Sequence, residues 1–256
     1  MYSACCRETS SQLDISEVRA DNANRHPWEI SRRSCLVRLL GRKEPDAQFV
    51  DVGAGDMYFS KALGALSRRP VIAVDPGFPS ADLGLADGIR RFTRIEDVPP
   101  GIGDCVVAMD VLEHVPDDVA LLTAIAARAR PGGEVLITVP AFQFLFSGQD
   151  RYLRHERRYD KKRLSDLLRA CSLRPVELFY FYSSLFVVRS VEKALQTVVT
   201  PRAHGAANWK HRGSHPLTRA IQALLDVDFA LGRKASAVGV SLPGLSLCAR
   251  CQKPSV

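Results

Sequence analysis

The stretch Phe49-Val50-Asp51-Val52-Gly53-Ala54-Gly55-Asp56, followed 24 residues after Asp51 by Val71-Ile72-Ala73-Val74-Asp75, constrains this chain more than any other feature. One hydrophobic run ends in a tight glycine turn and a second ends in an acid, the layout of a nucleoside-binding βαβ unit. Glycines let the backbone come close to a ligand because no Cβ stands in the way. A carboxylate at the end of the second strand can accept hydrogen bonds from two ribose hydroxyls. A dinucleotide site wants a small residue at the sixth position of the turn, for close helix packing beside a pyrophosphate. Here that position is Tyr58, and Asp56 brings negative charge toward the place phosphates would occupy. The turn therefore disfavours NAD and suits a cationic, phosphate-free nucleoside.

S-adenosylmethionine is the common nucleoside of that description, and the rest of the first 150 residues extends the reading into a family resemblance. Asp104-Cys-Val-Val-Ala-Met-Asp110-Val-Leu-Glu113-His114-Val-Pro-Asp-Asp118 resembles the fourth strand and following loop of class I S-adenosylmethionine-dependent methyltransferases. Arg130-Pro-Gly-Gly133-Glu-Val-Leu-Ile-Thr-Val-Pro140 resembles the turn and fifth strand of the same fold. The four segments match in order and spacing over residues 48–182. The resemblance implies an α/β fold with a doubly wound, mostly parallel seven-stranded sheet, and S-adenosylmethionine as cofactor. One departure is Met57, where many relatives carry a third glycine.

On this reading Asp51, Gly53, Ala54 and Gly55 line the methionine end of the cofactor, with backbone N–H groups at the helix start facing its carboxylate. Asp51 bracing the turn is the rival reading. Asp75, with Pro76 behind it, is assigned to the ribose hydroxyls. Asp97, after the third strand, is a candidate for the adenine amino group or a surface turn. Asp110 ends the fourth strand, where a parallel α/β sheet places its ligands. It faces the sulfonium side of the pocket or braces the next loop.

A second cluster, Asp150-Arg-Tyr-Leu-Arg-His155-Glu-Arg-Arg158-Tyr159, follows the fifth strand by about ten residues and so lies over the pocket mouth. It resembles a His-x-x-Arg-Tyr segment of a methyltransferase subgroup found among bacterial cell-envelope and secondary-metabolite genes, where the pattern implies acceptor binding. Methyl transfer from a sulfonium needs alignment above all. A base helps when the acceptor is a hydroxyl, a phenol or an acidic carbon. His155 is the candidate catalytic base, since histidine exchanges protons near neutral pH. Arg158 would grip a carboxylate or phosphate in bidentate fashion, with Tyr159 beside it. His114 is a second acceptor-side candidate. The rival reading has the cluster capping the next helix. Arg25-His26-Pro27-Trp28-Glu29 and Arg32-Arg33 look like the subgroup's lead-in helix, with Trp28 covering the pocket or docking the helix.

Alternation of strands (48–53, 70–75, 90–95, 104–109, 133–139) with helices (57–67, 117–129, 160–171) argues for the same sheet independently. A sixth strand is expected at 176–182 and a terminal one at 245–251. Between those last two lie two helical stretches, 184–199 and 217–238, joined by a basic loop at 201–215. Four parts are thus expected: a helical lead-in (1–45), a cofactor-binding core (46–182), a helical insertion (183–244) and a terminal strand with tail (245–256). The insertion is expected to cap the pocket, dimerise or lie on a membrane. Residues 179–199 are too charged for a span, because Arg189, Glu192 and Lys193 lie inside and each costs roughly 2.5–3.5 kcal/mol near a bilayer centre.

Charge divides unevenly. Residues 1–150 carry 16 Lys+Arg against 21 Asp+Glu, a net of −5, and residues 151–256 carry 19 against 7, a net of +12. An anionic partner for the second part follows: phospholipid headgroups, a phosphate-bearing substrate or RNA, unless this is only a solvated basic face. The seven scattered cysteines and a polar start without an apolar run fit a cytoplasmic protein, peripheral to the inner face of a membrane if the basic part binds lipid. Cys248 and Cys251, three apart in a strand, should point to opposite faces and hold no metal. The function expected is methyl transfer to oxygen or carbon of a small or lipid-linked acceptor. The alternatives are RNA methylation, suggested by the charge and by Phe179-Tyr-Phe-Tyr182, and a non-catalytic cofactor-binding subunit. Nucleic acid is the weaker partner, since no separate RNA-binding module is visible.

Overall fold

The computed structural model describes residues 25–196 and 214–255. Eight strands form one sheet in the order β3-β4-β2-β1-β5-β6-β8-β7. They are β1 (Phe49–Val52), β2 (Val71–Val74), β3 (Gly84–Ala86), β4 (Ile89–Phe92), β5 (Gly103–Met109), β6 (Ala129–Pro140), β7 (Arg174–Phe181) and β8 (Ser246–Gln252). The centre is parallel: β1 pairs with β2 and β5, β2 with β4, and β5 with β6. β8 inserts antiparallel between β6 and β7. The run of fully buried residues in β1 and β2 reflects their place at the middle of the sheet, covered on both faces.

The seven-stranded sheet expected from the sequence gains an eighth strand. β3 folds antiparallel onto β4 across Asp87 and Gly88, both at positive φ (52° and 71°), the conformation of a two-residue hairpin turn. Its residues are all exposed, so no hydrophobic alternation announces it. The Asp-Gly pair was the available signal.

Helices cover both faces. α1 (Pro27–Leu40), α2 (Tyr58–Gly64) and α7 (Pro216–Ala237) pack over Phe49, Val71, Cys105 and Val107. α3 (Asp118–Arg128) and α5 (Lys161–Ala170) pack over Val50, Val52, Val106 and Ile137 on the opposite side. Period-two alternation along the strands thus assigns one residue to each core. Cys248 and Cys251 fall in opposite cores, buried and without a disulfide, so the pair holds no shared metal. Side-chain caps start α3 and α5: Asp117 accepts from Ala120 N–H and Asp160 from Arg163 N–H. Two further helices among the described residues are α4 (Gly148–Tyr152) and α6 (Ser183–Gln196).

The C-terminal helical stretch is less separable than an insertion. α7 buries Leu225 and Phe229 in the same core as α1, and its Asp226 accepts hydrogen bonds from Ser31 and Arg38 of that helix. Asp228 caps α6, accepting from Ser183 and Ser184 N–H at 2.8 Å each. The expected joining loop at 201–215 lies outside the described residues, apart from its last two. No helix among the described residues is long and apolar enough to cross a membrane. The run Phe179-Tyr-Phe-Tyr182, suggested as a stacking platform for RNA, is core instead. Each of the four is at most 7% exposed, because they lie in and just after a strand sandwiched between helices.

Gly232 sets how closely α7 approaches β7. A Cβ there would lie 2.4 Å from the Tyr180 carbonyl oxygen, a backbone atom that cannot step aside. Gly232→Ala should therefore destabilise the fold by about 1–3 kcal/mol, the usual cost of overpacking, read as a lower urea midpoint. An unchanged midpoint would show that α7 is loosely docked.

Candidate functional site

A cavity of about 450 Å³ opens at the C-terminal ends of β1, β5 and β6. Its floor is the glycine turn with Asp110. One wall comes from α1 and the other from the segment around Glu113, His114 and His155. Of the residues expected at the site, the glycine turn, Asp110, His114, His155 and Arg158 border this cavity, whereas Asp51, Asp75, Pro76, Asp97 and Tyr159 do not.

Five backbone donors of the turn between β1 and α2 are engaged locally. Gly53 and Ala54 N–H both donate to the Val74 carbonyl, Met57 N–H to Ala54, and Tyr58 N–H to the Asp56 side chain. Gly55 N–H donates to Asp75 at 2.8 Å. The sequence reading placed these N–H groups on a ligand carboxylate; they are engaged within the turn, and α2 is only seven residues long. Glycine is required at Gly53, where φ is 73° and a Cβ would lie 2.4 Å from the Val111 side chain. At Gly55, by contrast, a Cβ would meet nothing within 4 Å, so the surface above it is open to a ligand. Met57 sits in the left-handed region (φ 61°), the conformation a third glycine would supply without strain.

Positive charge comes from α1 and from Arg25 just before it. Arg25, Arg32, Arg33 and Trp28 all line the cavity. Arg25 pairs with Asp56 and Glu29, and Arg32 pairs with Asp110. Tyr58 is stacked between the guanidinium groups of Arg25 and Arg33, 3.8 and 4.0 Å from its ring centre. Trp28 both borders the cavity and packs on the α1 core, so its two sequence readings are compatible. Sequence reasoning saw the helix but gave its arginines no role. Their spacing on one helix beside an acid-rich turn was the available signal.

The acids divide by position. Asp110 borders the cavity at φ 53°, accepting from the Thr138 hydroxyl at 2.9 Å as well as pairing with Arg32. Asp75 lies just behind the turn; its two oxygens accept from Gly55 and Gly77 N–H, and Pro76 is exposed next to it. An ionised carboxylate offers four lone-pair sites, so both oxygens retain acceptor capacity. Asp97 is elsewhere. It ends the short 3-10 turn Ile95–Asp97 and lines a separate cavity of about 320 Å³ with Gln48, Pro70 and Arg90, which corrects its assignment to the adenine group. Asp51 is 2% exposed beneath the turn and bonded to Ser60 at 2.6 Å, so it braces the turn and does not line the cavity.

Opposite α1, Leu112–His114 forms a 3-10 turn after β5, and His155 is brought against it. The two imidazole rings meet edge to face, 4.7 Å apart. His155 is oriented by Asp150, a 1% exposed carboxylate whose Oδ1 is 3.0 Å from Nδ1. Asp150 is held by Arg158 through two hydrogen bonds (2.7 and 3.1 Å) and by Ser147 N–H and hydroxyl. Burial opposes ionisation of Asp150, yet the bonds from His155 and Arg158 outweigh it and hold the carboxyl well below the usual range. With Nδ1 facing Asp150, Nε2 is the nitrogen left for the cavity.

Arg158 touches the cavity, but its fork is committed to Asp150 and the Ala141 carbonyl, which corrects its assignment as a substrate clamp. Tyr159 is fully buried. Its hydroxyl donates to Asp118 or the Leu112 carbonyl, and its backbone pairs with Ala141, so it anchors the segment and stays out of the cavity. Burial and the Asp118 charge push its hydroxyl far up. Sequence reasoning missed Asp150 as the orienting group, although it stood at the head of the quoted cluster.

Burial pushes the Asp51 carboxyl up to about 7, outweighing the Ser60 bond, with the Asp75 charge adding to the rise. The folded state then keeps a proton that the unfolded chain releases near pH 4. Stability from this group is complete below that pH and is lost as pH rises toward 7. Asp51→Asn keeps the acceptor for Ser60 and cannot ionise. Its stability relative to the native chain should rise by on the order of 2 kcal/mol between pH 5 and pH 8, measured by urea unfolding. A difference independent of pH would mean that Asp51 ionises normally.

A family model described as "Methyltransferase domain" matches residues 29–194. A ubiquinone biosynthesis O-methyltransferase of Xanthomonas campestris pv. campestris (strain B100) is 31% identical over 104 residues, covering 37% of this chain and 43% of that one. Its namesake in Xylella fastidiosa (strain 9a5c) is 34% identical over 123 residues, covering 42% and 50%. The matches thus span half or less of these relatives' length. Among solved structures, geranyl diphosphate C-methyltransferase of Streptomyces coelicolor A3(2), in complex with S-adenosyl-L-homocysteine among other ligands, has a TM-score of 0.56 at 14% identity, covering 88% of this chain and 79% of that one. Haemonchus contortus phosphoethanolamine N-methyltransferase 2, in complex with S-adenosyl-L-methionine, has a TM-score of 0.54 at 13% identity, covering 87% and 52%. At such identities the likeness establishes the fold alone.

Proposed function

Because the chain belongs to the class I S-adenosylmethionine-dependent methyltransferase family, we propose that it transfers a methyl group to a hydroxyl oxygen of a small or lipid-linked acceptor. The observation that carries this reading is one cavity bordered both by the open glycine turn and by the Asp150-oriented His155. S-adenosylmethionine, when bound, supplies a methyl group activated by its sulfonium. The residues fit that group. The turn is open above Gly55, Asp75 keeps acceptor capacity for ribose hydroxyls, and arginines of α1 border the cavity for the carboxylate.

The chain's part in the reaction is alignment and handling of one proton. Bound there, the cofactor would supply its methyl group to the acceptor oxygen, and the residues lining the cavity would keep the two in line. The hydroxyl proton must leave, and His155 is the residue assigned to that oxygen. Holding both reactants in line can supply several kcal/mol. The partial similarity to ubiquinone biosynthesis O-methyltransferases supports oxygen as the acceptor atom and an amphiphilic aromatic as the acceptor class. The reading of RNA methylation loses its aromatic platform, which is core.

Isothermal titration with S-adenosylhomocysteine tests the cofactor half, and turnover of a catechol or phenol lipid series tests the acceptor half. Asp75→Ala should lose most affinity, since each hydrogen bond to a charged group contributes roughly 1.5–3 kcal/mol. His155→Ala should bind normally and turn over roughly 10²–10⁴-fold more slowly. Normal turnover in that variant would remove His155 from the reaction.

The acceptor's apolar portion would enter from the side of α6. Leu185 and Arg189 border the cavity, and Val187, Val188, Val191 and Leu195 of the same helix are exposed. Together with the net charge of +12 over residues 151–256, this supports docking on an anionic membrane. Vesicle flotation should show binding that needs anionic lipid and falls with salt. Val188→Glu with Val191→Glu should abolish it without changing the melting temperature. Equal recovery on neutral and anionic vesicles would remove the membrane from this reading.

A further inference from the structure

The geometry points to a divalent-cation site formed by Glu113, His114 and His155 in the wall of the cavity, opposite α1. One donor atom from each residue lies within 4.8 Å of the others, and no other group of three His, Cys, Asp or Glu residues among those described is so spaced. Imidazole and carboxylate donors bind a first-row divalent ion at about 2.0–2.2 Å, so bound donors stand at most about 4.4 Å apart. Three donors around one ion stand about 3–3.6 Å apart, so closing the group from 4.8 Å needs side-chain shifts of up to about 1 Å.

The surroundings are those of a ligand set. Glu113 brings a fully buried carboxylate, and all three residues border the cavity. The two segments that carry them are tied by their backbones: Glu156 N–H donates to the Glu113 carbonyl at 2.7 Å, and His114 N–H to Val111. The spacing therefore does not depend on long flexible side chains alone. His155 has its Nδ1 on Asp150, so Nε2 is its donor. A metal-bound histidine characteristically hands its other ring nitrogen to a carboxylate, which fixes the tautomer and ring plane. Asp150, buried and gripped by Arg158 and Ser147, is such a carboxylate. A histidine only packed in a wall would not need so heavily held a partner.

Two imidazoles and one carboxylate suit Zn²⁺ or Mn²⁺ better than Mg²⁺, which prefers oxygen donors. Three protein donors leave positions open toward the cavity, as in catalytic sites. An acceptor hydroxyl entering one of them would become more acidic and release its proton to water, leaving the oxygen held for attack. His155 then acts by holding the ion. This role rests on the proposed methyl transfer, whereas the binding stands without it.

The test uses the full chain, stripped with a chelator and titrated with Mn²⁺ under electron paramagnetic resonance, with Zn²⁺ as competitor and Mg²⁺ as contrast. The expected result is one Mn²⁺ per chain at micromolar or tighter affinity, displaced by Zn²⁺ and showing imidazole nitrogen couplings. His114→Ala and Glu113→Gln should each weaken binding at least tenfold. Asp150→Asn should weaken it about 10–100-fold through the ring orientation. Circular dichroism melting confirms that each variant is folded; any that is not is replaced by His114→Gln, expected to lose the nitrogen coupling of one imidazole. No binding at millimolar Mn²⁺ or Zn²⁺, or undiminished binding by folded His114→Ala, would overturn the site. Ion binding without methyl transfer to any acceptor would count against the proposed reaction and leave the site standing.

Discussion

The His155 wall of the cavity depends on keeping one charge, that of Asp150, inside the fold. An isolated carboxylate in that position would cost several kcal/mol. Arg158 offsets the cost with two charge-assisted hydrogen bonds, Ser147 adds a backbone and a hydroxyl donor, and His155 adds a third partner. The result is a rigid block. Ser147 and Asp150 cap α4, Arg158 fixes the Ala141 carbonyl, and Tyr159 ties the segment to β6 and to Asp118. The block delivers a single imidazole to the cavity in a defined orientation. Arg158 and Tyr159 serve the site without touching the reaction.

The wall beside α1 and the glycine turn is built on the opposite balance, with charges that meet across the cavity. Arg25 reaches Asp56 and Arg32 reaches Asp110, so α1 closes over the glycine turn through ion pairs between elements far apart in sequence. S-adenosylmethionine carries both a carboxylate and a sulfonium, and a wall holding both signs can meet both ends. In the turn itself the N–H groups of Gly53, Ala54, Gly55, Met57 and Tyr58 are taken up by neighbouring oxygens.

The uneven charge of the chain also has a structural side. Several basic residues of the second part are drawn into bridges with the first, as where Arg157 joins Asp118, Arg158 joins Asp150 and Arg250 joins Glu134; within the second part, Arg233 and Arg250 share Glu177. Those last two arginines clamp α7 and β8 onto the sheet. The apolar stripe of α6 stays exposed, while Leu185 and Arg189 of the same helix border the cavity.

The parallel sheet, its two cores and the position of the cavity were legible in the sequence, because they follow from short-range rules. Hydrophobic runs ending in Gly53 and Asp75 make a βαβ unit, and alternation along Cys248 to Cys251 puts the two thiols on opposite faces. The edge hairpin at Asp87-Gly88 escaped because its strand buries nothing. The assignment of roles within the site was decided only by the tertiary structure. Asp97 and Asp75 look alike as acids after strands, yet one faces a different cavity. Arg158 looks like a substrate clamp until Asp150 is seen to occupy its fork. Sequence spacing determines which residues reach the C-terminal edge of the sheet. Which charge neutralises which is set by distances between segments that only packing brings together, and a buried charge takes the partner that packing supplies.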